Sequence, residues 1–140
     1  MTTWIIFALL SAFFAALVAI FGKVGIKDVD STLATTVRAA VMFLFFIIVS
    51  LSYKKFQLLS SINNKALVFI FLSGIAGALS WLFYFYALKA GPASGVAALD
   101  RLSVAIVLVL AVLFLGEQLT WKSGIGAVLI TTGAILMSIR

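Results

Sequence analysis

Two adjacent charged residues, Asp100 and Arg101, lie inside the long apolar run AALDRLSVAIVLVLAVLFLGEQ. A carboxylate in such a run can exchange a proton or bind a substrate amine, and a guanidinium can bind an anion. In hydrocarbon each charge is costly unless it is paired or faces water. Because successive residues of a helix diverge by about 100°, the two side chains need different partners. Both are therefore candidate functional groups.

The composition predicts that this run crosses a membrane. Of 140 residues, 65% are hydrophobic and 10% are charged, and the mean hydropathy is +1.31. A soluble domain is about half apolar and a quarter charged. Five apolar segments approach the ~20 residues that a membrane-spanning helix needs, at 3–23, 33–52, 66–88, 94–116 and 121–139. The sequence predicts an all-α polytopic membrane protein, a five-helix bundle that forms one domain over residues 1–140.

Several kinds of chemistry are excluded by residue content. The chain has no Cys and no His, which rules out disulfides, Cys/His zinc sites and histidine bases. Asp28 and Asp30 could suggest a metal, but capping of the second helix by Asp30 or Ser31 is the favoured interpretation. We expect no metal, no cofactor and no enzymatic activity. The net charge of +6 lies mostly at predicted membrane boundaries, where lipid headgroups attract it, so we expect no nucleic-acid partner.

Charged residues of three helices are expected at one depth. Arg38 lies about five residues into helix 2 and Asp100 about six into helix 4, or roughly 8 and 9 Å from the same membrane face at 1.5 Å per residue. Lys23 ends helix 1 near that level. A pair between Arg38 and Asp100 satisfies both charges. This pair is interpreted either as part of a substrate pocket or as a structural link between two helices.

Other helices add polar, aromatic and small residues. Trp81 and Tyr84 share one face of helix 3, where they either stack against a ligand or anchor the helix at the membrane interface. Glu117, at the end of helix 4, is a possible second carboxylate site, although a structural role is favoured. Gly126 and Gly133 lie on one face of helix 5 and are predicted to pack closely within the bundle or between protomers.

The basic residues near helix ends are balanced across the membrane. One side receives Lys54, Lys55, Lys65 and Lys122, and the other receives Lys23, Lys27, Lys89 and Arg140. An excess of such residues normally fixes orientation by staying in the cytoplasm, and a tie gives no such instruction. Two interpretations stay open, namely a single orientation fixed by other signals and dual topology.

The C-terminal half resembles the second part of an EamA-type domain of the drug/metabolite transporter superfamily. The similarity lies in the turns ALKAGPAS and LGEQLT and in the helix IGAVLITTG, and AIFGKVGI with Arg38 extends it over the whole chain. A lone five-helix copy with LDRLS resembles the bacterial/archaeal transporter family. Val104 stands where many EamA domains have proline, and helix 1 lacks the acid of the four-helix multidrug relatives, so their proton exchange is not carried over.

The resemblance implies a half-transporter. In ten-helix relatives the two halves are inverted repeats with the substrate near the midplane, and one five-helix chain recreates this by pairing with an oppositely inserted copy. We therefore expect a secondary transporter of a small metabolite, an inverted homodimer working by alternating access in the prokaryotic inner membrane. The alternative is a non-transporting membrane subunit or assembly factor that requires a partner chain. The candidate substrate-binding or coupling residues are Asp100, Arg38, Arg101, Lys23, Trp81 and Tyr84.

Overall fold

The computed structural model describes residues 3–139, and these are helical throughout apart from short connections. The elements are α1 (Thr3–Gly25), α2 (Ser31–Ser52), a 3₁₀ helix (Lys55–Ser61), α3 (Asn64–Ala90), α4 (Ala93–Asp100), α5 (Leu102–Leu115) and α6 (Trp121–Ser138). Five stretches are long and apolar enough to cross a membrane, with α4 and α5 together forming one of them. The predicted all-α fold with five spans is confirmed. Arg140, counted above among the basic residues, lies outside the described residues.

Polar side chains define where two of the helices begin. The Asp30 carboxylate accepts a hydrogen bond from the Leu33 N–H at 3.0 Å, which makes Asp30 the N-cap of α2. The Thr120 hydroxyl accepts from the Ser123 N–H, and the Thr120 N–H donates to the Ser123 hydroxyl in return. Such a reciprocal box satisfies amides that have no partner within the helix. Both caps agree with the residues that the sequence predicted.

The fourth span is interrupted at the two charged residues that opened the sequence analysis. The Arg101 N–H donates to the Ala98 carbonyl at 3.0 Å, and the Val104 N–H donates to the Arg101 carbonyl at 3.0 Å. Both bonds reach back three residues instead of four, so the chain tightens into a 3₁₀ turn between α4 and α5. The sequence predicted one uninterrupted helix over 94–116. Neither glycine nor proline lies near Arg101 to signal the interruption.

The described helices fall into two compact units. One unit contains α1 up to Val24 together with α4, α5 and α6, and the other is Gly25–Lys89. In the first unit α6 packs against both α4 and α5. A Cβ atom at Gly95 would lie 3.2 Å from the Pro92 Cγ and 3.6 Å from the Met137 carbonyl oxygen. The absence of a side chain at Gly95 is therefore what allows α4 and α6 to approach.

The glycines expected to pack closely lie elsewhere on α6. A Cβ atom at Gly126 or Gly133 would meet no atom within 4 Å among the described residues. Close packing within the chain is found at Gly95, which the sequence analysis did not single out. A contact of Gly126 and Gly133 with a second protomer stays a prediction.

One lysine in each unit binds backbone carbonyls of a turn. In the first unit the Lys23 ammonium donates to the Gly91 carbonyl at 2.7 Å. In the second unit the Lys89 ammonium donates to the carbonyls of Ile26 and Val29 at 3.0 and 2.5 Å. The carbonyls near a helix end have no partner within the helix, and a nearby lysine can satisfy them. These two lysines therefore fix the turns that follow α3 and α1, respectively.

Candidate substrate site between α2 and α3

Arg38 of α2 lies against a group of aromatic rings on α3. Its guanidinium carbon is 3.5 Å from the centroid of the Trp81 ring and 5.8 Å from that of Phe85. Trp81, Tyr84 and Phe85 come together because residues three and four apart lie on one face of a helix. The Trp81 ring centroid is 5.4 Å from that of Tyr84 and 6.4 Å from that of Phe85. The half-buried Arg38 thus has an aromatic surface as its neighbour.

A cavity of about 560 Å³ opens beside this cluster, between α2 and α3. Its volume falls within the range of small-molecule sites, roughly 300–1,000 Å³. Small residues on α3 leave this space open, since a Cβ atom at Gly74 or Gly77 would meet nothing within 4 Å among the described residues. The lining consists of Thr32, Thr35, Thr36, Arg38, Ala39 and Met42 of α2 and of Ser73, Gly74, Gly77, Ala78, Trp81 and Leu82 of α3.

The threonine hydroxyls of the cavity have their protons engaged. The Thr35 hydroxyl donates to the Ser31 carbonyl at 2.7 Å, and the Thr36 hydroxyl donates to the Thr32 carbonyl at 2.9 Å. A hydroxyl has one proton and two lone pairs, so these oxygens are left as acceptors. The Thr32 and Tyr86 hydroxyls share a further bond at 2.7 Å, which joins the first turn of α2 to the end of α3.

The cavity has a positive electrostatic character. Among the described residues that line it, Arg38 alone carries a charge. No Asp or Glu occurs anywhere between Ser31 and Leu99, so neither helix of the cavity contributes an acid. A guanidinium stays protonated at any physiological pH. The arrangement can bind an anion beside an apolar and aromatic wall.

The structure brings together some of the residues predicted from sequence. Arg38, Trp81 and Tyr84 form one cluster in the unit Gly25–Lys89. Lys23, Asp100 and Arg101 belong to the other unit, with Asp100 and Arg101 exposed at the turn between α4 and α5. The predicted pairing of Arg38 with Asp100 stays a prediction.

Glu117 lies in the segment between α5 and α6. Its side chain is exposed, and its N–H donates to the Ala111 carbonyl at 3.2 Å. Gly116, just before it, has a φ angle of 67°, which glycine adopts without steric cost. Glu117 thus follows a glycine C-cap, and a role as a second carboxylate site stays a prediction.

Sequence reasoning missed two contributions to the site. Phe85 is 4% exposed and forms the buried edge of the aromatic cluster. It lies four residues after Trp81, a spacing that could have revealed it. The back-bonded hydroxyls of Thr35 and Thr36 were also missed, although a TLATT stretch one turn before Arg38 gave a signal.

The comparison with protein families gives the cavity its context. The model of the EamA-like transporter family matches residues 2–139. The chain belongs to the EamA-like transporter family. As a member of this family it is an integral membrane protein, and its expected substrate is a small molecule.

Similar EamA-like chains occur in bacteria and archaea. The chain is 42% identical over 137 residues to an uncharacterized transporter encoded in the cobO 3′ region of Sinorhizobium sp., covering 98% of this chain and 97% of the relative. It is 34% identical over 139 residues to an uncharacterized protein of Methanocaldococcus jannaschii, covering 99% of this chain and 98% of the relative. No solved structure matches the chain. Both relatives thus have nearly the length of this five-span chain.

Proposed function

We propose that this EamA-like protein is a secondary transporter that moves a small metabolite across the prokaryotic inner membrane by alternating access. The observation that carries the proposal is the position of Arg38, which lies 3.5 Å from the Trp81 ring and lines a cavity of about 560 Å³. A charge within a membrane-spanning helix is costly and is typically retained for a functional reason. Arg38, Trp81 and Tyr84 are the proposed substrate-binding residues.

The proposed transporter is a homodimer of oppositely inserted copies. An odd number of spans gives each copy one terminus on each side, so two inverted copies reproduce the symmetry of inverted-repeat transporters. The basic residues support this arrangement, since four lie near helix ends on each predicted side. Relatives matched over 97% and 98% of their length support a single-domain chain as the unit of assembly.

Asp100 is the proposed coupling group, with Arg101 beside it. The pair lies at the 3₁₀ turn between α4 and α5, and helices interrupted within the membrane are a recurrent place for ion and substrate sites in transporters. Asp100 also lies just before the N-terminus of α5, where the helix dipole favours a negative charge. Lys23 completes the proposed set, and its bond to Gly91 supports a role in positioning the turn that precedes α4.

A substrate-independent exchange assay tests the transport proposal. Purified protein is reconstituted into liposomes loaded with a small-metabolite extract, and the metabolites that leave the vesicles are identified by mass spectrometry. We expect at least one metabolite to leave vesicles that contain the wild type but not vesicles that contain Arg38→Gln. Lys122→Gln, a variant of an exposed lysine at the start of α6, removes the same charge outside the cavity and should behave as wild type. If no metabolite distinguishes wild-type vesicles from empty ones, the proposed function is wrong.

A further inference from the structure

We infer that the cavity between α2 and α3 selects an amphiphilic monocarboxylate, an organic acid with one negative charge, an apolar body and a hydrogen-bond donor next to the carboxylate. The inference rests on the proposed function, because it assigns a substrate class to the same cavity. Three features of the lining support it, and each concerns a different part of the ligand.

The charge of the lining selects a single negative charge. Arg38 is the one charged residue among the described residues that line the cavity, and α2 and α3 contain no acid. A cationic ligand would meet a guanidinium with no carboxylate to offset it. A dianion would pair one charge with Arg38 and leave the second unpaired, which is costly inside a membrane protein.

The position of Arg38 favours a carboxylate as the charged group. Its guanidinium carbon lies 3.5 Å from the Trp81 ring centroid, the distance of a guanidinium stacked on an aromatic face. Stacking engages the face of the guanidinium and leaves the N–H groups, which lie in its plane. Two of these N–H groups match the two oxygens of a planar carboxylate.

The remaining lining complements an apolar body that carries a donor. Ala39, Met42 and Leu82 supply apolar surface. The Thr35 and Thr36 hydroxyl protons are bonded to helix carbonyls, so these oxygens accept and do not readily donate. A ligand hydroxyl can donate to them, whereas a ligand ammonium would bring a second charge without an acid to balance it.

Ligands built on one carbon skeleton test each feature separately. The reference probe is 3-phenylpropanoate. 3-Phenyllactate adds a hydroxyl donor, phenylalanine adds an ammonium, and benzylmalonate adds a second carboxylate, each at the same carbon. 3-Phenylpropanamide and 3-phenylpropylamine replace the anion by a neutral group and by a cation. Binding to the detergent-purified full chain is followed by Trp81 fluorescence, after replacement of the exposed Trp4 and Trp121 by phenylalanine.

We expect 3-phenyllactate to bind at least as tightly as 3-phenylpropanoate, and every other probe to bind at least about tenfold more weakly, as loss of one charge-assisted pair predicts. Arg38→Gln should abolish the preference for the anion over the amide. Thr36→Val should remove only the advantage of the hydroxyl, and Lys122→Gln should change neither. These two variants keep the result interpretable if Arg38→Gln fails to fold.

Tighter binding of phenylalanine, benzylmalonate or the amine overturns the inference, and so does a preference for the anion that survives in folded Arg38→Gln. The exchange assay distinguishes this failure from failure of the proposed function. If wild-type vesicles release a metabolite that is not a monocarboxylate, the transport proposal stands and the substrate class is wrong. If they release none, the transport proposal itself fails.

Discussion

The Lys89 ammonium lies 2.5 Å from the Val29 carbonyl oxygen and 3.0 Å from that of Ile26. Lys89 is one turn beyond the aromatic cluster of α3, and the turn that it binds leads directly into α2. The same side chain therefore fixes the connection that sets where α2 begins relative to α3. Since the cavity is lined by exactly these two helices, Lys89 acts on the site without touching it.

Replacing Lys89 by Met should loosen this connection. The substitution removes charge-assisted hydrogen bonds, each worth roughly 1.5–3 kcal/mol, and the exposure of Lys89 places the loss at the lower end. We expect a lower melting temperature in detergent and faster hydrogen exchange at residues 26–30. Lys122→Met is the matched control. Unchanged exchange at residues 26–30 would show that Lys89 does not fix the turn.

The close approach of α4 and α6 predicts a second stability effect. A side chain at Gly95 would press on Pro92 at 3.2 Å and approach the Met137 carbonyl, whereas one at Gly126 would meet open space among the described residues. Gly95→Val should destabilise the protein by about 1–3 kcal/mol, as expected of overpacking. Gly126→Val in the same α6 should leave the melting temperature of the monomer nearly unchanged. Equal effects of the two variants would contradict the predicted contact.

The membrane spans and several caps could be predicted from sequence because they depend on local properties. Apolar length identifies a span, and Asp30 and Thr120 cap helices through atoms three residues away. Gly95 could not be found in this way, because its importance depends on which residues of α6 face it. The stacking of Arg38 on Trp81 likewise depends on the rotation of two helices separated by more than forty residues. The sequence placed Trp81 and Tyr84 correctly on one face but gave no reason to choose them over Asp100 as neighbours of Arg38.

The role of Asp100 gives a third prediction. A carboxylate that couples transport to an ion has to change its charge or bind a cation, and an amide of the same shape does neither. Asp100→Asn should therefore abolish metabolite exchange in liposomes while leaving the melting temperature within a few degrees of wild type. Normal exchange by this variant would remove Asp100 from the mechanism.

A charge swap distinguishes this role from a structural pairing with Arg38. In Arg38→Asp combined with Asp100→Arg, a purely structural ion pair would be restored, because the two charges only exchange places. A substrate site would not be restored, since the cavity between α2 and α3 would then contain an acid. We expect the double variant to stay inactive in the exchange assay. Recovery of activity would favour the structural interpretation and a non-transporting role for the pair.

The balance of basic residues predicts that the chain inserts in both orientations. The native chain contains no cysteine, so a single cysteine at Ser60, between α2 and α3, or at Gly25, at the end of α1, reports one side of the membrane. Both sites are exposed. An impermeant maleimide applied to intact cells should label each site in about half of the molecules.

Shifting the charge balance should then shift the labelling in a predictable direction. Lys54→Gln with Lys55→Gln leaves two basic residues on one side against four on the other, and the more basic side is retained in the cytoplasm. The 54–65 loop should then face outward, so labelling at Ser60→Cys should rise toward completion and labelling at Gly25→Cys should fall. Lys65→Gln alone should shift the labelling in the same direction by less. If one site labels fully in the unaltered chain and the other not at all, the orientation is fixed, and the inverted homodimer is excluded because no copy has the opposite topology.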